Sequence, residues 1–176
     1  NMVLAALFAA LTAIGAFLQI PTGTVPITLQ FLFTALAGLL LGWKWGAISQ
    51  LLYVGIGLLG LPVFTQGGGI GYVLQPSFGF LLGLIPAAAV IGALTARRTG
   101  YLTVLAAVLV GDLILYAVGV PYMYLILHVY MQSAKTFPAL LAAMLVYVPG
   151  DTLKIIVVTA LAPVLRRTLV KAVPNL

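Results

Sequence analysis

Long apolar runs, each ended by glycine, proline or charge, divide this chain almost from end to end. The first covers Met2 to about Ile20 and stops at Pro21. The second covers about Ile27 to Gly42 and stops at Trp43-Lys44-Trp45. The third, about Gly46 to Leu61, ends at Pro62, and the fourth, about Phe78 to Ala96, at Arg97-Arg98. The fifth, Tyr101 to Val118, ends at Gly119-Val120-Pro121. A sixth is less regular: a short apolar piece, Ala139 to Val148, runs into Pro149-Gly150. A helix is then expected to restart and continue to about Leu165, before Arg166-Arg167. Spanning a bilayer core takes about 20 residues of helix, so six spans use roughly 120. A chain of 176 residues has room for that and for short connections, and no room for a second large unit. The expectation is an all-α integral membrane protein of six transmembrane helices, one domain over residues 1–176.

Composition excludes the alternatives. Hydrophobic residues make up 64% of the chain and charged residues 6%, too few to cover a soluble surface. Cysteine is absent, which excludes a disulfide scaffold and thiolate metal sites. The lone His128 has no carboxylate or second histidine close in sequence, so no metal or other cofactor is expected. The first run lacks the basic start of a signal peptide, and nothing suggests that it is removed.

Alternating the six spans sorts the charges. Lys44, Arg97, Arg98, Arg166, Arg167 and Lys171 fall on one side, and Lys135 falls on the other. Positive residues collect on the cytoplasmic face, so both termini are expected inside. The net charge of +6 is thereby explained by orientation rather than by nucleic acid. Trp43 and Trp45 suit the membrane–water boundary. Three connections are left outside: 21–26, 62–77 and 119–137. Within the second, Gly67-Gly68-Gly69-Ile70-Gly71 permits backbone shapes closed to other residues. It reads either as a mobile turn or as a folded lid over an outward-facing cavity. No Gly-Lys-Ser/Thr follows, so it is not a phosphate loop.

Ionisable side chains inside spans are costly, from about 2.5 kcal/mol upward. Three are expected here: Asp112, Asp151 and Lys154. Asp151 and Lys154 share one helix face, and Lys154 stands roughly 18 Å above Arg166 at 1.5 Å per residue. Asp112 stands roughly 21 Å above Arg98 by the same arithmetic, with Tyr116 following at i+4. Convergence at one depth fits a polar pocket reached from outside. An ion pair that only orders the bundle is the competing reading. Pro149-Gly150 is expected to break the helix, with Asp151 capping the part that restarts. Asp112 is read as protonated, bonded within the bundle or part of the pocket.

On the first span, Ala5, Ala6, Ala9, Ala10 and Ala13 form a small-residue stripe. Such a face packs closely either inside this protein or against another membrane subunit. Enzyme classes find no support. Intramembrane aspartyl proteases carry a glycine two residues before Gly-Asp, and here Leu109 and Val148 stand there. No serine has a suitable partner, and the carboxylates are too few for metal hydrolysis. A channel would show rings of like charge, and many carriers show an internal duplication. Neither is present, nor is a nucleotide-binding motif.

Several segments carry a resemblance. Gly60-Leu61-Pro62-Val63-Phe64, the glycine-rich loop, and Leu74-Gln75-Pro76-Ser77-Phe78-Gly79-Phe80 are similar in order and type to the BioY family. So are Val25-Pro26-Ile27-Thr28-Leu29-Gln30, Tyr116-Ala117-Val118-Gly119-Val120-Pro121 and, most strongly, Pro149-Gly150-Asp151-Thr152-Leu153-Lys154. The family comprises biotin-capturing S components of bacterial energy-coupling-factor (ECF) transporters. The resemblance implies an S-component fold in the bacterial plasma membrane, with high-affinity biotin binding from outside. It also implies a coupling subunit docking on Ala6 and Ala10, or Ala5 and Ala9, with two ATPase subunits completing the transporter. The sequence departs from the family at Gln75-Pro76-Ser77 and Gly79-Phe80, where Gly-Pro-Thr and Gly-Tyr are more usual.

Ligand chemistry matches the residue types. Asp151 suits ureido N–H donors, and Lys154 suits the ureido oxygen or the carboxylate. Phe64, Tyr72 and Tyr122 are expected to wall the apolar ring, and Gln75 to serve the ureido group. Tyr116 and Asp112 complete the candidate set. An S component for another vitamin, or a proton-linked carrier acting as an oligomer, is the alternative.

Overall fold

A computed structural model describes residues 1–22, 25–97 and 100–172. Helices dominate: α1 (Met2–Phe17), α2 (Gln30–Leu58), α3 (Phe78–Thr95), α4 (Tyr101–Leu125), α5 (Phe137–Met144) and α6 (Val148–Ala172). A short antiparallel pair, β1 (Gln19–Ile20) with β2 (Ile27–Thr28), closes the connection between α1 and α2. By length and composition, four segments can cross a membrane: Gln30–Leu58, Phe78–Thr95, Tyr101–Tyr130 and Val148–Arg166. Met2–Phe17 is a shorter apolar helix.

The long helix α2 is in fact a hairpin. Gly42 sits at φ 78°, ψ 178°, a backbone shape that a side chain would strain. The chain reverses there. Gln30 Nε2 donates to the Tyr53 hydroxyl (2.7 Å), and Thr34 Oγ1 donates to Gln50 Oε1 (2.9 Å). A Cβ added to Gly46 would lie 2.8 Å from Gly38 Cα. These pairs run in opposite directions along the two arms, 30–41 and 43–58, so the arms are antiparallel. The second and third expected runs are therefore two rods joined by one residue, and the second rod ends at Leu58 rather than Leu61.

Between α1 and these arms lies a polar knot. Gln50 Nε2 donates to Thr12 Oγ1 (3.3 Å) and Ser49 Oγ (3.0 Å), while its Oε1 receives Thr34. All four residues are fully buried. Outward faces carry the opposite chemistry: Leu102, Leu113, Leu153 and Val164 are more than half exposed. Apolar side chains on the outside of an apolar bundle are what a lipid environment selects.

One end of the bundle gathers the basic residues. A Cβ on Gly92 would touch the Trp43 backbone nitrogen, which brings the α2 turn against the end of α3. Arg166 Nη1 donates to Thr95 O (3.4 Å). Lys44, Arg97 and Arg166 thus lie at the same end. Arg98, and the side chains of Arg167 and Lys171, fall outside the described residues.

Other expected boundaries move as well: α1 ends at Phe17 rather than Ile20, and α6 runs on to Ala172 rather than Leu165. The fifth run does not stop at Gly119-Val120-Pro121. Helix α4 continues through Pro121 to Leu125 and then widens into a π-turn over Ile126–Tyr130, where Met131 N reaches Ile126 O. Most of the expected 119–137 connection is therefore helical. At Gly119 the Phe80 ring sits where a side chain would be. The sixth run breaks and restarts as expected, but slightly before Pro149-Gly150: α5 ends at Met144, a turn covers 145–147, and α6 begins at Val148. Pro149 and Gly150 occupy the first turn of α6, where a proline costs no hydrogen bond. Asp151 N already bonds Tyr147 O, so Asp151 lies inside the helix and does not cap it.

Candidate functional site

At the end opposite Lys44, a cleft of about 70 Å³ lies among β2, the start of α2, the 62–77 loop, α3, α4 and α6. Its charged centre comes from α6. Lys154 Nζ lies 2.5 Å from Asp151 Oδ1, one helical turn away, and both residues are more than nine-tenths buried. The Tyr116 hydroxyl on α4 donates to Asp151 Oδ2. Lys154 Nζ also donates to Thr28 O (3.2 Å), tying α6 to the β hairpin.

Counting bonds shows what remains for a guest. An ammonium has three donors, and Lys154 spends two within the protein. A carboxylate has about four lone-pair positions, and Asp151 spends two. The cleft therefore offers one cationic donor and two anionic acceptors side by side. The pair is partly committed to structure but keeps capacity for a ligand with both N–H and oxygen groups.

The 62–77 loop is folded, not a loose turn. Phe64 and Gly67 exchange backbone hydrogen bonds, and Gly69 N reaches Gly57 O (2.7 Å). Gly67 and Gly69 take positive φ of 110° and 100°, which explains the glycines there. A 3-10 turn, Ile70–Leu74, follows. The loop delivers Thr65, Tyr72 and Ser77 to the cleft wall, linked by their hydroxyls: Thr65 to Tyr72 (2.9 Å) and Tyr72 to Ser77 (3.4 Å).

Of the eight candidate binding residues, Asp151, Lys154, Tyr116 and Tyr72 line the cleft. The other four do not. Gln75 is exposed outside it. Phe64 is 1% exposed and stands behind Tyr72, ring centroids 4.6 Å apart, with its ring tip against Gly57. Tyr122 points its hydroxyl at Val73 O (2.5 Å) and packs on Phe78, holding the loop from behind. Asp112 lies off the lining, with its Oδ1 buried and without a hydrogen-bond partner among the described residues.

Sequence reasoning missed Thr28, Gln30, Phe80 and Tyr147, all of which line the cleft. Phe80 meets the Tyr116 ring edge-on at 6.0 Å. Tyr147, in the turn before α6, donates to Val25 O, and its hydroxyl lies 3.0 Å from Thr22 Oγ1. Gln30 carried a usable signal, a polar residue opening an otherwise apolar run.

The alanine stripe on α1 splits in two. Ala5 and Ala9 are buried within the bundle. Ala6 and Ala10 are exposed and, with Ala13, edge an apolar groove completed by Leu52, Ile56 and Val63.

An apolar helical bundle, basic at one end and opening at the other a cleft bordered by a buried ion pair, fits a membrane protein that binds a small molecule. Comparison with known proteins narrows that class. A model of the BioY family matches residues 1–171. The chain is 54% identical to a probable biotin transporter BioY of Lysinibacillus sphaericus over 139 residues, covering 78% of this chain and 71% of that one. It is 34% identical to the biotin transporter BioY of Thermotoga maritima, covering 92% and 93%. Against the crystal structure of the S-component for biotin from an ECF-type ABC transporter, the TM-score is 0.83 at 31% identity, covering 94% of this chain and 90% of that one. This chain belongs to the BioY family, a family of transporter components and not of enzymes.

Proposed function

We propose that this chain is the biotin-binding S component of an ECF-type uptake system in the bacterial plasma membrane. It captures biotin from the outer face. One observation carries the reading: the buried Asp151–Lys154 pair borders an open cleft at the end of the bundle opposite Lys44, Arg97 and Arg166. With that basic end in the cytoplasm, the cleft faces outward. The single domain crosses the membrane six times, as α1, the two arms of α2, α3, α4 and α6, and both termini are cytoplasmic. Asp151 accepts ureido N–H groups, while the spare donor of Lys154 goes to the ureido oxygen or the carboxylate. Tyr72, Tyr116 and Phe80 wall the apolar ring.

Delivery needs partners, because the chain carries no nucleotide-binding motif. The exposed Ala6–Ala10 edge of α1 is the face for a transmembrane coupling subunit, which two ATPase subunits drive. Relatives bearing biotin-transporter names and the likeness to the biotin S component support this reading. Mass spectrometry of ligand retained through purification, followed by isothermal titration with biotin, tests it. Biotin in the spectrum and tight saturable binding are expected. A different vitamin would change the cargo and keep the class. Transport by the chain alone, without co-purifying ATPase subunits, would favour a proton-linked carrier instead.

A further inference from the structure

Gln30 is 7% exposed, yet it lines the cleft beside Lys154 and Thr28. Its side-chain amide is held at both ends. The Tyr53 hydroxyl donates to Val63 O (3.1 Å), a carbonyl that can only accept. With its one proton spent there, Tyr53 must accept from Gln30, so the amide nitrogen faces Tyr53 (2.7 Å). On the other side the Thr28 hydroxyl donates to Gln30 Oε1 (2.9 Å). The two neighbours thus fix which way the amide points, without reference to any ligand.

A primary amide has two donors and two acceptor positions, and here one of each is used. One N–H and one lone pair remain on a side chain that cannot flip without breaking both anchors. We infer that Gln30, preset by Tyr53 and Thr28, is a specificity-determining residue that reads the ureido group of the ligand. This rests on the biotin reading above. A ureido ring presents both N–H and C=O, whereas a carboxylate only accepts, so the mixed donor–acceptor amide matches the ring rather than the tail. Gln75, the glutamine that the sequence suggested for this task, lies outside the cleft.

The experiment uses isothermal titration of the full-length chain in detergent with biotin, biotin methyl ester and N-methylated (ureido) biotin. Gln30→Ala and the near-isosteric Gln30→Glu, which lacks the amide donors, are both expected to weaken biotin about tenfold or more, since a site built to bond a polar group is penalised when the bond is lost. The same factor is expected for the methyl ester, and a smaller one for the N-methylated ring. Tyr53→Phe is expected to weaken biotin about threefold to tenfold, the range of one hydrogen bond, and to cost nothing further in the Gln30→Ala background. Wild-type protein that binds biotin while both Gln30 variants bind it equally well overturns the inference and leaves the biotin reading standing. A loss that disappears with the methyl ester overturns the ureido assignment. A Tyr53→Phe loss undiminished in the Gln30→Ala background shows that Tyr53 acts through the fold, and overturns its presetting role. Wild-type protein that binds no biotin overturns both readings.

Discussion

The Tyr116 hydroxyl, on α4, donates to the carboxylate of Asp151, on α6, across 35 residues of sequence. That bond joins two helices at the wall of the cleft and holds the carboxylate that also carries Lys154. A charged acceptor strengthens such a bond to roughly 1.5–3 kcal/mol. Tyr116→Phe keeps the ring against Phe80 and removes only the donor. Biotin affinity is expected to fall about tenfold to a hundredfold on that figure, read by titration calorimetry. Unchanged affinity would mean that Asp151 is held well enough by Lys154 alone.

Breaking the pair itself is a harsher change. Asp151→Asn removes the negative charge that neutralises the buried Lys154, and Lys154→Ala leaves Asp151 with only Tyr116. Each is expected to weaken biotin binding by tenfold or more, since truncating one partner of a buried charged pair costs roughly 2–5 kcal/mol. Two variants with wild-type affinity would reduce the pair to an ordering device.

Gly42 and Gly55 make a controlled comparison. A Cβ at either would meet nothing within 4 Å, but Gly42 has φ 78° and Gly55 lies within the second arm. Gly42→Ala is expected to destabilise by about 1–3 kcal/mol through backbone strain alone. Gly55→Ala is expected to be neutral or stabilising by up to about 1 kcal/mol. Thermal unfolding in detergent decides it, and equal shifts for the two would contradict the hairpin.

Ala10 is exposed at the groove edge and does not line the cleft. Ala10→Leu fills the close-approach surface that small residues provide. Co-purification with the coupling subunit is expected to drop while biotin affinity stays within about twofold, because Ala10 belongs to neither the cleft lining nor the Gln30–Tyr53 bond. Full recovery of the complex would move the docking face elsewhere.

Much of this architecture was legible because lipid imposes simple rules. Apolar runs, breakers and basic residues located the rods, and the Asp151–Lys154 spacing located the charged centre. Errors came where a breaker was read by type rather than by position. Pro121 sits inside α4 and does not end it, while Pro149 stands in the first turn of α6, just after the break over 145–147. Proline marks a boundary in water-soluble helices more dependably than in packed apolar ones, where a π-turn or a neighbour absorbs the lost bond. The cleft lining was harder still. Gln75 and Gln30 are the same residue type, but the fold of the 62–77 loop turns Gln75 outward, while the start of α2 sets Gln30 at the wall. Tyr72 and Phe64 are eight residues apart in one loop, yet one faces the cleft and the other props it from behind.

The knot around Gln50 has a consequence for how the chain finds this arrangement. When surroundings and interior are equally oily, greasiness cannot tell a rod which flank to turn inward. An amide can, because rotating Gln50 away from Thr12 and Thr34 would strand its oxygen in hydrocarbon with no partner. These four side chains act as a key that admits one mutual rotation of three helices. The placement of Gln30 and Tyr53, one turn further along the same two arms, is inherited from that choice.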